Sequence, residues 1–136
     1  MLMPRKVKHR KWQKRSSRSV ATQKLTLAFG SVGLRSLEEA WITAHQIEAA
    51  RRAVVRNLKR GGKFWIRIFP DRPVTFRGTE VVMGGGKGNV DHYVAAVRPG
   101  MVLFEVDGVS ASSAAEALEL ARHKLPVKTK LITRGV

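Results

Sequence analysis

The stretch with the clearest chemical potential is the glycine-rich segment Met83–Asn89, which places Lys87 among four glycines in five positions. Glycine reaches positive φ and lets another molecule approach the main chain closely, and lysine is a common phosphate ligand. A nucleotide-binding P-loop, however, needs Ser or Thr after its lysine and a helix after the loop. Gly88 follows Lys87 here, the next residues are strand-like, and the fingerprint Gly-x-Gly-x-x-Gly is not matched. We therefore interpret the segment as a loop that is ordered against a polyanionic partner.

No other arrangement of side chains predicts catalysis or metal binding. The histidines, which are His9, His45, His92 and His123, lack the spacing of metal ligands. The chain has no cysteine, which excludes a disulfide, a thiolate zinc site and a cysteine nucleophile. Asp91 and His92 are adjacent, so on a strand we expect their side chains on opposite faces. No serine lies in a nucleophile elbow and no pair of carboxylates stands out. We expect no enzyme activity, no cofactor and no metal site.

The charge balance predicts the class of partner. The 136 residues carry 26 Lys and Arg against 10 Asp and Glu, a formal net charge of +16. Residues 1–24 hold nine of the cations and no acid, so residues 25–136 still carry +7. Such a distribution is typical of proteins that bind nucleic acids, because binding is driven by the neutralisation of phosphates and the release of counterions. A surface tuned only for solubility is disfavoured, because so strong a field of one sign repels itself.

The hydrophobic pattern predicts one folded domain and no membrane partner. With 43% hydrophobic residues the chain is long enough to bury a core. No apolar run approaches the roughly 18 residues that suggest a membrane span, and the basic N-terminus lacks the apolar region of a secretory signal. We therefore expect an intracellular protein.

Residues 1–24 are predicted to be an extended basic arm, followed by an α+β domain over residues 25–136 with the glycine-rich loop at 83–89. Neither a helical nor a strand period persists in the arm. Trp12 lies among cations, where it can stack on an exposed base or, alternatively, pack on the domain. The arm residues predicted to bind RNA are Arg5, Lys6, Lys8, Arg10, Lys11, Trp12, Lys14, Arg15 and Arg18.

The clearest helix begins after Thr43, which with Gln46 fits a capping box. Apolar residues recur at helical spacing on its predicted buried face, at Ile47, Ala50, Val54 and Leu58, and Gly61-Gly62 ends it. Glu48 can pair with Arg52 four residues later. The cations on the outer face predict phosphate contacts, and they are Arg52, Arg56, Lys59 and Arg60.

A strand is predicted over Lys63–Phe69, with Phe64, Ile66 and Ile68 on its core face. The other face carries Lys63, Trp65, Arg67 and Phe69. This mixture of cations and aromatics suits RNA binding. The alternative, that a second sheet or a helix covers Trp65 and Phe69, stays open.

The remaining elements complete an α+β prediction with two helices and one mixed or antiparallel sheet. Leu25–Phe29 alternates as a short strand, and 74–82 predicts another, interrupted near Arg77. Strands on both sides of Pro99-Gly100 suggest a hairpin. Ser113 with Glu116 fits a second capping box. The last strand is predicted over 127–133.

Four separate segments then resemble the ribosomal protein L sixteen family of the bacterial large subunit (the universal L-sixteen and L-ten-e family). The similarity runs from Met1 to the C-terminal strand, in order and at the expected spacings. The matching segments are Thr43–Arg52, Gly62–Asp71, Met83–Val90 and Lys124–Thr129, together with the Met-Leu-Met-Pro-Arg start.

The resemblance implies an α/β-hammerhead type of fold and a structural protein of the large subunit. Its expected partners are large-subunit (23S-type) rRNA near the peptidyl-transferase centre, tRNA at the aminoacyl site (with the peptidyl site as a second candidate) and neighbouring ribosomal proteins, without homo-oligomers. A free basic RNA-binding or RNA-modifying factor is the alternative. The expected location is the bacterial cytoplasm or, alternatively, an organelle.

The resemblance also implies roles for individual residues. The chain departs from the family at two positions. Family positions that would dock rRNA fall on Arg51, Arg52, Lys63, Trp65 and Arg67. The tRNA-proximal loop would be Met83, Gly84, Gly85, Gly86, Lys87 and Gly88. Val82 and Gly85 stand where the family usually has cations, so Lys87 is the only cation in Val82–Asn89.

Overall fold

The computed structural model describes residues 1–12, 21, 24–59, 61–77, 84 and 86–134. In these residues two α-helices and seven β-strands follow one another along the chain. They are β1 (Val32–Ser36), β2 (Ala40–Thr43), α1 (Ala44–Leu58), β3 (Lys63–Ile66), β4 (Arg72–Phe76), β5 (Asn89–Val97), β6 (Val102–Asp107), α2 (Ala111–Arg122) and β7 (Thr129–Thr133). The predicted α+β class with two helices is confirmed.

The strands form two antiparallel sheets where the sequence predicted one. The larger sheet has the order β3-β6-β1-β7, and the smaller has the order β2-β5-β4. The predicted hairpin around Pro99-Gly100 is therefore wrong, because the turn passes the chain from one sheet to the other. β5 pairs with β2 and β4, whereas β6 pairs with β1 and β3.

The core lies where the two helices pack on each other and against the larger sheet. β6 runs between β3 and β1 and is buried from Val102 to Val106. Phe104 on this strand stacks on Phe64 of β3, with 5.4 Å between the ring centroids. Ile47 of α1 and Leu118 of α2 belong to the same buried cluster. Glu105 is the one charged residue among the fully buried side chains of the described chain.

Local sequence signals set the first helix as predicted. The Gln46 N–H donates to Thr43 Oγ1 at 3.1 Å, and the Thr43 N–H donates to Gln46 Oε1 at 2.9 Å, which completes the capping box. Ile47, Ala50 and Val54 are buried, whereas Leu58 is half-buried. Lys59 itself takes the left-handed conformation that ends the helix, with φ of 50°.

Two predictions at element boundaries are wrong for reasons of hydrogen bonding. Residues 25–29 are not a strand, because the Ala28 and Phe29 N–H groups donate to the Glu105 carboxylate instead of to a neighbouring strand. The second capping box is not at Ser113. The hydroxyl of Ser110 caps α2 by accepting from the Ser113 N–H, so the helix begins three residues earlier.

Several strands are shorter than predicted. β3 ends at Ile66, and the next N–H, that of Arg67, donates to the Leu103 carbonyl. β4 spans Arg72–Phe76 and includes Pro73. Proline has no N–H to donate, and an edge strand tolerates it because the backbone groups on the outer side of that strand have no neighbouring strand to bond. β7 begins at Thr129. The rest of the strand predicted over 74–82 lies largely outside the described residues.

The arm meets the domain at several points. Leu2 packs against the core cluster, and the Ala21 N–H donates to the Pro99 carbonyl at 3.0 Å. The Lys24 carbonyl accepts from the Val102 N–H at 2.7 Å. The boundary at residue 24 stays a prediction. None of the described helices is long and apolar enough to cross a membrane.

Candidate nucleic-acid interface

The N-terminal arm presents a row of cations to solvent. Residues 1–12 contain no helix or strand, and Arg5, Lys6, Lys8 and Arg10 are exposed. Within the described chain none of these four forms an ion pair with a carboxylate. Their charges are therefore available to an external anion. The other predicted arm residues, Lys14, Arg15 and Arg18, lie outside the described residues.

The arm and the glycine-rich loop meet, although they are 75 residues apart in sequence. Lys11 Nζ donates to the Lys87 carbonyl at 2.9 Å, and Lys87 Nζ donates in return to the Trp12 carbonyl. Trp12 keeps 40% of its surface exposed. The two regions that the family resemblance assigned separately to rRNA and to tRNA are thus in contact.

The loop glycines serve two different physical purposes. Gly84 and Gly86 have φ of +101° and +96°, and a Cβ on either would meet nothing within 4 Å. Glycine is needed there for backbone conformation, not for space. A Cβ on Gly88 would lie 2.5 Å from the Phe76 carbonyl oxygen, so this end of the loop is packed against β4. Arg77 Nη2 donates to the Gly84 carbonyl. Met83 and Gly85 lie outside the described residues.

On α1, a single carboxylate engages two of the predicted RNA-binding arginines. Glu48 accepts from Arg51 Nη2 at 2.6 Å and from Arg52 Nε at 3.1 Å, so the predicted pairing with Arg52 is confirmed and Arg51 joins it. The hydrogen bond from Arg51, with the positive charge of both arginines, lowers the pKa of Glu48 to about 2. Arg56 and Lys59 are exposed, and neither forms an ion pair within the described chain. Arg60 lies outside that part.

The outer face of β3 is covered, but not by a sheet or a helix. Phe29, from the segment 24–30, stacks on Trp65 with 5.8 Å between centroids and 20° between planes. The Arg67 guanidinium carbon lies 5.4 Å from the centre of the Phe29 ring. Phe29 is still 54% exposed, and Lys63 at the start of the strand is exposed. Of the predicted residues, Lys63 therefore faces solvent, whereas Trp65 and Arg67 lie under an aromatic side chain.

Buried Glu105 holds this covering segment in place. Its Oε1 accepts from the N–H groups of Ala28, Phe29 and Gly30, each at 2.9 Å. Its Oε2 accepts from Arg67. Burial raises the pKa of Glu105, but the bonds from Gly30, Arg67 and Phe29 outweigh it and hold the pKa below its ordinary value. The carboxylate stays charged and fixes the 24–30 segment over β6.

The structure also brings together residues that the sequence reasoning did not assign. Trp41 of β2 and Arg72 of β4 lie on the two strands that flank β5 in the smaller sheet, with the Arg72 guanidinium carbon 4.8 Å from the centre of the Trp41 ring. Both line a cavity with Trp12 and Lys87. Only the folded chain brings this cation and this aromatic ring together. In the sequence they are 31 residues apart and carry no shared pattern.

Metal-ligating side chains do not cluster in the described residues. No group of three or more His, Cys, Asp or Glu side chains could hold a metal ion there. The expectation that Asp91 and His92 point to opposite faces is wrong, since His92 Nδ1 lies 2.7 Å from Asp91 Oδ2. The alternation of faces is interrupted here, because the register between β4 and β5 shifts between Val74 and Thr75 and leaves Asp91 without a partner residue on β4.

One comparison with known proteins identifies the family. The family model described as Ribosomal protein L16p/L10e matches residues 4–132, which is nearly the whole chain. The chain belongs to this family, as the resemblance of its segments predicted, and is a ribosomal protein of the large subunit. The match includes the arm cations from Arg5 onward, the α1 arginines and the glycine-rich loop.

Proposed function

We propose that this member of the ribosomal protein L16p/L10e family binds large-subunit rRNA near the peptidyl-transferase centre and presents its glycine-rich loop to tRNA at the aminoacyl site. The observation that carries the proposal is the reciprocal contact of Lys11 and Trp12 with Lys87. It joins the cationic arm to the loop, so that one polyanionic surface can engage both. The protein acts as scaffold, and the chemistry at the site belongs to RNA.

In this proposal the cations divide into those that contact phosphate and those that shape the surface. Arg5, Lys6, Lys8 and Arg10 on the arm, with Arg56, Lys59 and Lys63 on the domain, are exposed and contact rRNA directly. Arg67 supports the 24–30 segment through Glu105. Arg51 and Arg52 are held by Glu48, which orients their remaining donors.

The glycine-rich loop allows RNA to approach its main chain closely but carries little charge. A Cβ on Gly84 or Gly86 would meet nothing within 4 Å, so an RNA backbone can come near the main chain on that side, while Arg77 bonds to the Gly84 carbonyl. Lys87 supplies the positive charge, because Val82 and Gly85 replace cations that the family resemblance implies. The tRNA contact therefore depends on Lys87 more than in relatives with three loop cations.

Sedimentation with large subunits tests the proposal directly. Subunits depleted of this protein are expected to rebind it at physiological ionic strength, about 0.15 M, and to release it progressively as salt rises, because phosphate contacts release counterions. The bound fraction is measured after centrifugation through sucrose. Protein that stays at the top of the gradient at physiological salt contradicts the proposal. Equal affinity for duplex DNA and rRNA fragments contradicts it as well, since RNA is recognised by shape and 2′-hydroxyls.

Lys87→Ala is expected to separate loop function from assembly. The variant loses one exposed charged contact, on the order of 1 kcal/mol, and should slow aminoacyl-tRNA accommodation roughly fivefold. The arm retains its cations, so the variant should still sediment with the large subunit. Stopped-flow fluorescence of labelled tRNA on reconstituted ribosomes measures the rate. Lys130→Ala, which removes an exposed lysine on β7, is the control and should change neither result. Loss of assembly in Lys87→Ala would show that the loop docks the protein.

A further inference from the structure

A small cavity opens where the arm, the smaller sheet and the glycine-rich loop meet. Its volume is about 190 Å³. Trp12 comes from the arm, Trp41 from β2, and Lys87 from the end of the loop. Strand β4 supplies the remaining lining residues, which are Arg72, Pro73, Val74 and Thr75.

The lining combines two indole rings with the positive charges of Arg72 and Lys87. The Arg72 guanidinium lies over the Trp41 ring at 4.8 Å, a cation–π contact that holds the half-buried indole in place. Trp12 is 40% exposed and belongs to a segment without helix or strand, so its ring can adjust to an incoming group. Lys87 Nζ, bonded to the Trp12 carbonyl, places a positive charge at the same site.

The volume of the cavity and the chemistry of its lining indicate the class of ligand that it binds. Drug-sized ligands occupy pockets of about 300–1,000 Å³, and the smaller volume of 190 Å³ suits one planar ring system. Aromatic side chains bind nucleobases by stacking, because every base has a π-face. A cation beside the rings suits the phosphate to which that base is attached. Strand β4 is an edge of its sheet, and Thr75 adds a hydroxyl that can bond to a base edge.

We propose that this cavity binds one unpaired nucleobase of an RNA strand, stacked against Trp12 and Trp41, with its phosphate near Lys87. This inference rests on the proposed function, which makes RNA the partner, and assigns a base-binding site that the loop alone does not provide. Splayed, unstacked bases are the usual targets when proteins read single-stranded RNA. The base belongs either to an rRNA loop or to tRNA, and the two sources are distinguished below.

Binding of a short oligouridylate to the full chain tests the site. The probe is compared with an oligomer of the same length that lacks bases but keeps every phosphate. We expect the wild-type protein to prefer the oligouridylate by about tenfold, the effect of one base–aromatic stack. Trp12→Ala should abolish that preference while leaving affinity for the abasic oligomer unchanged. Leu120→Ala, which removes an exposed apolar side chain of α2 that does not line the cavity, is the control and should keep the preference.

The variants are chosen so that misfolding cannot explain the result. Trp12 lies outside every described helix and strand, so its replacement is not expected to unfold the domain. Trp41→Leu, in β2, is a second variant whose fold is checked by circular dichroism before binding is measured. Equal wild-type affinity for both oligomers, or a preference that survives in Trp12→Ala, overturns the proposal. If the protein nevertheless sediments with large subunits, only the base site fails and the proposed function stands.

Chemical probing of bases in reconstituted particles identifies the source of the base. A base that wild type protects but Trp12→Ala does not, in large subunits without tRNA, belongs to rRNA. A base in tRNA that shows the same difference assigns the site to tRNA. If no base in either RNA differs between the two proteins, the cavity does not bind a base in the assembled particle and the proposal is wrong.

Discussion

Glu105→Ala is expected to destabilise the protein by about 3–5 kcal/mol, the cost of breaking a buried ion pair by removing one partner. Glu105 has no exposed surface, and its carboxylate accepts from Arg67 and from three consecutive backbone N–H groups. Alanine removes the acceptor of the three N–H groups and leaves Arg67 only its bond to the Thr26 carbonyl. A buried donor that loses its acceptor costs the full desolvation penalty. The 24–30 segment should therefore detach and uncover Trp65.

The same carboxylate makes stability depend on acid pH. The pKa of Glu105 is lower in the folded protein than its ordinary value of 4.5. Its stabilisation is therefore fully present above pH 4.5 and is lost as the pH falls below that value toward the folded pKa. Glu48, with a pKa of about 2, contributes in the same direction. The difference between wild type and Glu105→Gln isolates Glu105, and it should shrink as the pH falls from neutral to about 3.

Urea unfolding followed by circular dichroism and by tryptophan fluorescence measures both effects. Glu119→Ala is the matched control, because it also removes a carboxylate paired with an arginine, at 3.3 Å, but on the exposed surface of α2. Exposed pairs contribute about 0–1 kcal/mol. A loss for Glu105→Ala no larger than that for Glu119→Ala would mean that the 24–30 segment does not depend on the carboxylate.

Replacing the exposed cations Arg5, Lys6, Lys8 and Arg10 with glutamine is expected to remove most of the salt dependence that the described arm contributes to rRNA binding. Each phosphate contact adds about 0.7–0.9 to the slope of log affinity against log salt, so four contacts add about 3. Between about 50 and 200 mM salt the affinity of the wild type should therefore fall by about 50- to 150-fold more than that of the variant. Affinity for a large-subunit rRNA fragment, followed by fluorescence anisotropy across a salt series, measures the slope.

The control carries the same change in net charge at another place. Arg122 and Lys124 at the end of α2, with Lys128 and Lys130 at the start of β7, are also exposed. Their replacement by glutamine also removes four charges but should change the slope by less than about 1, because these cations are not proposed to touch phosphate. Equal changes in both variants would indicate that net charge, and not the arm, determines binding.

The features that the sequence predicted correctly are those in which the interacting residues lie within one helical turn or one strand. Thr43 and Gln46 are three residues apart, so their capping box could be identified from spacing alone and is confirmed. The buried face at Ile47, Ala50 and Val54 follows from the 3.6-residue period in the same way. At the second helix, the spacing of Ser113 and Glu116 predicted the wrong cap, because Ser110 caps α2.

Only the positive charge of the candidate site and the positions of its glycines could be predicted from the sequence. Arg67 was assigned to rRNA because it alternates with Trp65 and Lys63 on one strand face. The structure places Arg67 against Glu105, which comes from a strand 38 residues away. Glu105 itself stands in the apolar run Met101–Val106, and nothing nearby in the sequence indicates that its charge would be buried and satisfied.

By itself, the sequence determined the cationic character of the protein, the α+β class, the family and the conformational freedom of the 83–89 loop. These depend on composition and on contacts between residues close in the chain. Only the tertiary structure decided that the strands divide into two sheets, that Phe29 covers Trp65, and that the arm meets the loop at Lys87. Such contacts join residues tens of positions apart, and their selection depends on packing and on the burial of polar groups across the whole fold. The cavity between Trp12 and Trp41 exists for the same reason.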